Sequence, residues 1–181
     1  MKILLQSFFA CALLMLLACP AAHAQDPENT LYMDLADGRV VIEMRPDLAP
    51  KHVARIKELV RMKFYDGNVF HRVIDGFMAQ TGDPTGTGRG GSGQTLPAEF
   101  SNVPFKRGTV GMARASDADS ADSQFFICFA PVPSLDGQYT VWGQVTSGME
   151  FVDKIKKGTG QNGRVSNPDK IIRLRVAADV Q

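Results

Sequence analysis

The sequence predicts a mainly β domain, largely antiparallel, with two helices, and three patterns predict it. Asp75-Gly76 lies between the apolar runs Val69–Ile74 and Phe77–Ala79, a two-residue turn signal flanked by β-capable residues. Ala36-Asp37-Gly38 separates the β-rich runs Thr30–Leu35 and Arg39–Met44 in the same way. Helical periodicity, by contrast, is confined to two short stretches, one after Pro50 and one after Ser147.

The chain opens with a segment that reads as a secretory leader. Lys2 supplies a positive start, Ile3 to Ala18 an apolar run broken only by Gln6 and Ser7, and Ala22-His23-Ala24 a small-x-small cleavage signal. A membrane span needs about 20 apolar residues, and this run is shorter and ends in Pro20, so no integral membrane segment is expected after processing. Cleavage after Ala24 implies export; the alternative, a lipoprotein anchored through Cys19, fits poorly with Leu17 before Ala18 and Pro20 after the cysteine. Loss of Lys2 brings the 20 basic residues level with the 19 acidic ones. A neutral chain without a basic stripe excludes nucleic acid and anionic membrane as main partners. Of three cysteines only Cys128 remains, inside the apolar run Phe125–Ala130, where a buried thiol with no disulfide is expected.

Gln25 to Asn29 reads as a flexible tail, and residues 30–178 as one domain. After the first hairpin, Pro50 opens a helix whose apolar stripe is Val53, Ile56, Leu59 and Val60, with basic residues in its last turn through Lys63. His52 on this helix is expected to face solvent or a pocket edge. In the central hairpin, period-two alternation puts Phe70, Arg72 and Ile74 on one face of the first strand. On the second strand it opposes Phe77 and Ala79 to Met78 and Gln80. His71 then points away from Arg72 and reads as a satisfied packing residue rather than a general base.

Gly82 to Gln94 is a glycine-rich loop. Within it, residues 86–91 match the dinucleotide fingerprint, as do residues 158–163, but neither match lies between a strand and a helix, so both are surface turns. Asp117, Asp119 and Asp122 lack the glycine and bidentate glutamate of a calcium loop, and no zinc spacing or nucleophile elbow is present, so no metal and no cofactor is expected. Gln124–Ala130 and Tyr139–Thr146 read as strands. Ser147-Gly148-Met149-Glu150 reads as a capping box opening a second helix with stripe Met149, Val152 and Ile155, ended by Gly158. Lys170–Ala178 alternates Ile172, Leu174 and Val176 with Arg173 and Arg175 as a closing strand, and Trp142 is expected in the core.

Four ordered segments carry something more specific: Phe70-His71-Arg72 through Gln80, Gly111-Met112-Ala113-Arg114-Ala115, Ser123-Gln124-Phe125-Phe126-Ile127, and Leu135-Asp136-Gly137-Gln138-Tyr139. In this order and spacing, from about Thr30 to Val176, the chain resembles the cyclophilin family of peptidyl-prolyl cis-trans isomerases. The resemblance implies a closed eight-stranded antiparallel β-barrel capped by two α-helices, with a filled interior and hence an external site. It implies that Arg72 is the catalytic cation and that Phe77, Met78, Phe126 and Leu135 line a proline pocket. Gln80 and Gln124 would bond the substrate backbone, Ala113 and Arg114 would form a backbone-reading ledge, and Tyr139 would supply the rim. Partners would be proline-containing polypeptides, in an isomerase of exported proteins, periplasmic by similarity to bacterial versions, or, alternatively, a proline-peptide binding module or chaperone with incidental turnover; no exposed stripe or coiled-coil heptad suggests anything but a monomer. The best-known eukaryotic pattern has tryptophan, histidine and asparagine where this chain has Ser134, Tyr139 and Arg114. Loss of the indole donor at Ser134 implies only weak cyclosporin binding.

Overall fold

The computed structural model describes residues 26–180; the expected leader, residues 1–24, lies outside them. Among the described residues eight strands are formed: β1 Thr30–Leu35, β2 Gly38–Met44, β3 Arg72–Ile74, β4 Met78–Thr81, β5 Thr109–Met112, β6 Phe125–Cys128, β7 Val141–Ser147 and β8 Arg173–Val176. They make one antiparallel sheet in the order β3-β4-β6-β5-β7-β2-β1-β8. Two helices, α1 Pro50–Arg61 and α2 Met149–Lys154, complete the fold. No helix among the described residues is long and apolar enough to cross a membrane.

The sheet curls but is not closed by a ladder between its edge strands β3 and β8. The chain just before each edge makes the join instead: Val69 bridges Lys170, Phe70 N–H donates to Asp169 O at 2.9 Å, and Ile171 N–H donates to Asn68 O at 2.9 Å. A full ladder is blocked because the outer edge of β3 is already occupied. Val73 N–H donates to Gly163 O, while Gly158 and Val165 N–H donate to Val73 and His71 carbonyls. This strap, residues 158–165, is what the fingerprint-like glycines build. A Cβ on Gly163 (φ +62°) would lie 2.4 Å from Ile74 Cγ1 and 2.8 Å from Val73 O, so the strap can approach β3 only with glycine there.

Alternation along β6 explains how the sheet serves two cores. Phe125 and Ile127 point inward with Trp142, Tyr65, Phe70, Ile42 and Val110, whereas Phe126 and Cys128 point outward with Met78, Phe105 and Val141. All four β6 residues are buried, which is why the strand reads as a continuous apolar run. Burial pushes the Cys128 thiol pKa up to about 12, so the residue is an inert packing group.

Several local expectations are corrected. Residues 27–29 form a short 3-10 turn, with Glu28 N–H donating to Asp26 Oδ1 and Glu28 paired with Arg61, rather than a free tail. His52 is wholly buried on the stripe of α1, its Nδ1 2.7 Å from Glu99 Oε2, and Glu99 also accepts the Lys51 and His52 amides. Its spacing of four from Ile56 already placed it on the apolar face. Burial opposes ionisation of Glu99, but the bonds from His52 and the two amides outweigh it and hold the carboxyl below its ordinary value. The capping box does not form: Ser147 belongs to β7, and Gly148, left-handed at φ 83°, caps α2 through its carbonyl, which accepts from Phe151 N–H. The helix stops at Lys154, with Ile155 buried just beyond it.

Candidate active site

On the outer face of β3, β4, β5 and β6, a notch of about 90 Å³ is lined by Arg72, Phe77, Met78, Gln80, Ala113, Arg114, Phe126, Leu135 and Tyr139. Register brings the hairpin residues together, since Arg72 opposes Gln80 and Ile74 opposes Met78, and opposed residues share a face. Phe77 departs from the expected alternation. It lies in the turn, its N–H donating to Ile74 O at 3.0 Å, and so packs with Met78 instead of opposite it. Phe70 is separated from Arg72 by a kink in which His71 N–H donates to Val69 O, and it faces the interior.

The apolar wall is rigid for identifiable reasons. Phe126 stacks on Phe105 with centroids 5.7 Å apart and meets Tyr139 edge-on at 5.8 Å. Both rings lie over Gly111, where a Cβ would come within 2.7 Å of each, so a side chain at that position would push Phe126 into the notch. Leu135 is delivered by the 3-10 turn Pro133–Leu135, which also carries the exposed Ser134. Phe105, which the sequence did not single out, is a structural member of the site; its N–H donates to Asp136 Oδ1 at 2.7 Å.

Arg72 is held at two of its three nitrogens. Its Nε donates to Asn162 O at 3.2 Å, and its Nη1 donates to Gln80 Oε1 at 3.1 Å and lies 3.9 Å from Met78 Sδ. No carboxylate pairs with it among the described residues, and no bond is made by Nη2, which leaves that nitrogen for an external acceptor. The chain of amides continues: Gln80 Nε2 donates to Gln124 Oε1 at 2.9 Å, and Gln124 Nε2 donates to Gly90 O at 2.8 Å and Gly88 O at 3.2 Å. Every donor points the same way, so each bond polarises the next. Gln124 is thus beneath the glycine-rich loop, off the notch itself. His71 is buried under the same loop without lining the notch, and burial keeps its imidazole below the ordinary pKa.

Asp83, another residue the sequence left unremarked, organises that loop. It is fully buried and accepts from the amides of Thr85, Thr87 and Gly88 and from the Thr85 hydroxyl at 2.6–3.1 Å. Burial alone would raise its carboxyl pKa, but the Thr85 hydroxyl and amide, with the Gly90 and Gly88 amides, outweigh burial and hold it well below the carboxylate range. A depressed carboxyl stabilises the fold above its unfolded pKa, about 3.9, and the stabilisation is lost as pH falls through the folded value. Asp83→Asn is therefore expected to cost about 1–3 kcal/mol at pH 7, with the gap to the native protein narrowing toward pH 2 in urea unfolding. A gap independent of pH would show that the carboxylate is not what holds the loop.

Comparison with known proteins bears on this arrangement. The sequence model described as "Cyclophilin type peptidyl-prolyl cis-trans isomerase/CLD" matches residues 30–176. A probable peptidyl-prolyl cis-trans isomerase of Brucella suis is 57% identical over 177 residues, covering 91% of this chain and 90% of the relative. Peptidyl-prolyl cis-trans isomerase B of Bacillus subtilis is 45% identical over 133 residues, covering 72% and 92%. Among solved structures, cyclophilin AquaCyp293 from Hirschia baltica superposes with a TM-score of 0.78 at 28% identity, covering 86% of this chain and 76% of that one. A Cryptosporidium parvum cyclophilin-type isomerase solved in the presence of the dipeptide Ala-Pro gives 0.74 at 26% identity, covering 81% and 98%.

Proposed function

The chain belongs to the cyclophilin-type peptidyl-prolyl cis-trans isomerase family, and from that premise we propose that Arg72 and the notch beside it twist Xaa-Pro bonds of exported polypeptides. Rotation about a peptide bond meets a barrier of about 18–20 kcal/mol from amide resonance, and uncatalysed Xaa-Pro exchange takes about 10–100 s. No covalent bond need form. The catalyst must hold proline, leave the preceding bond free, and favour the twisted state in which the nitrogen has lost its resonance.

The observation that carries this reading is the guanidinium edge at the mouth of an apolar notch. Phe77, Met78, Phe126 and Leu135 receive the pyrrolidine ring, and Arg72 Nη2 donates to the prolyl carbonyl and, as the bond twists, toward the proline nitrogen. Gln80 orients Arg72 in addition to meeting substrate, and Gln124 acts through Gln80. The Ala113 amide already donates to Gln124 O at 2.9 Å, so the Ala113–Arg114 ledge meets a peptide through carbonyl oxygen. That a structural relative was solved with Ala-Pro supports the same class of ligand here. The leader-like residues 1–24 support export and a periplasmic location.

The test is a protease-coupled or NMR assay on an Ala-Pro peptide. Acceleration above background is expected; saturable binding without acceleration would favour a binding module. Ser134 is exposed and outside the notch lining, with no indole to donate, so cyclosporin is expected to inhibit this protein more weakly than a tryptophan-bearing cyclophilin titrated beside it. Equal inhibition would show that the rest of the surface suffices.

A further inference from the structure

Beside the notch lies a larger cleft of about 450 Å³, sharing Gln80, Ala113 and Arg114 with it and bounded on the far side by Arg89, Gly90 and Asp122. Its charge is not what the adjoining run of aspartates suggests. Asp122 is committed to the glycine-rich loop, accepting from Ser92 N–H and hydroxyl and from Gly93 N–H, and Asp119 accepts from Ala98 N–H outside the cleft. Arg114 is fixed by carbonyls alone, its Nε and Nη2 donating to Gln138 O and its Nη1 to Ala115 and Ser116 O, with the Tyr139 ring 4.7 Å away. The Arg89 side chain is exposed and makes no hydrogen bond or ion pair among the described residues. Two guanidinium groups without an ion-pair partner among the described residues thus border the cleft against one charged carboxylate, Asp122, whose bonds come from neutral donors, so the lining is net positive.

We propose that Arg89 and Arg114 make this enzyme select proline substrates carrying an acidic side chain on the N-terminal side of the proline. The inference rests on the isomerase reading of the notch. With Arg72 on the prolyl carbonyl, the C-terminal flank leaves past Arg72, and the residues before proline cross the Ala113–Arg114 ledge into the cleft. A glutamate or aspartate there faces the positive field of a guanidinium held on Tyr139, whose one uncommitted N–H is on Nη2, and a second, exposed cation opposite. Partly exposed pairs of this kind are weak and salt-sensitive, so the selection is graded.

N-acetylated, C-amidated peptides Glu-Ala-Ala-Pro-Phe, Gln-Ala-Ala-Pro-Phe and Lys-Ala-Ala-Pro-Phe, together with a peptide moving the glutamate to the position after proline, separate the possibilities by NMR exchange. The expected kcat/KM order is Glu, then Gln, then Lys, with Glu exceeding Gln about two- to ten-fold at low salt. The ratio should fall toward one in 0.5 M NaCl, and fall in both Arg89→Gln and Arg114→Gln, each compared only with itself on the two peptides. Equal rates for all peptides, a preference for glutamate after proline, or a ratio unmoved by both substitutions would overturn this inference while leaving the isomerase intact. Absence of acceleration on every peptide would instead remove the reading on which it rests.

Discussion

Arg72→Ala is expected to lower kcat/KM on an Ala-Pro peptide by about a hundred- to a thousand-fold while the peptide still binds. The size follows from the place of the guanidinium. A preorganised donor aimed at charge that develops only in the twisted state is worth roughly 2.7–4 kcal/mol, and each 1.36 kcal/mol is tenfold in rate. Because Nε is fixed on Asn162 O and Nη1 on Gln80 Oε1, no reorientation is needed when substrate arrives. Folding should be nearly untouched, since Arg72 pairs with no carboxylate among the described residues. Arg72→Lys should recover little: an ammonium is a point donor and cannot hold Gln80 and the substrate with a planar fork. Unchanged turnover in Arg72→Ala, with urea unfolding unchanged, would assign the rate to the notch alone.

Phe126→Ala is expected to be the most damaging change in the apolar wall. Phe126 is 5% exposed and supports both Phe105 and Tyr139, so truncation should cost about 3–5 kcal/mol of stability. Because so large a cost can unfold the protein, Phe126→Leu is the informative partner. Leucine keeps much of the volume, and its stability cost should stay under about 1.5 kcal/mol. It loses the flat ring that the pyrrolidine stacks against, and burial of one such side chain is worth about 1.5–3 kcal/mol, so kcat/KM should fall about ten- to a hundred-fold, mainly through KM. A folded Phe126→Leu protein with native kcat/KM would mean that proline sits elsewhere.

What could be read from the residues was mostly what repeats or turns. Asp75-Gly76, the alternation of Leu174 and Val176 with Arg173 and Arg175, and the stripe of α1 each have a period or a punctuation mark, and each is where the pattern put it. The nine notch residues were legible because they come from four ordered segments of a known kind, and the fold brings all nine to one surface. The failures other than Asp83 share a physical cause: they depend on partners distant in the chain. His52 looked like a surface histidine because Glu99, its partner, lies 47 residues away. Asp83 was hidden because its ligands are backbone amides, which leave no trace in composition. Ser147-Gly148-Met149-Glu150 satisfied a local rule, but pairing with β2 claimed Ser147 for the sheet. Closure of the barrel failed for the same reason, because residues 158–165 reach the edge of β3 first.

One measurement bears on the central claim most directly: NMR exchange on a labelled Ala-Pro peptide bound to the native protein, reading the isomer exchange rate and the protons nearest the pyrrolidine ring in one sample. Exchange of bound peptide faster than background by at least a hundred-fold is predicted, with contacts from the ring to Phe126, Leu135 and Met78, and with the rate lost but the contacts kept in Arg72→Ala. Background-rate exchange in the native complex, or a proline ring resting away from those three side chains, would contradict it.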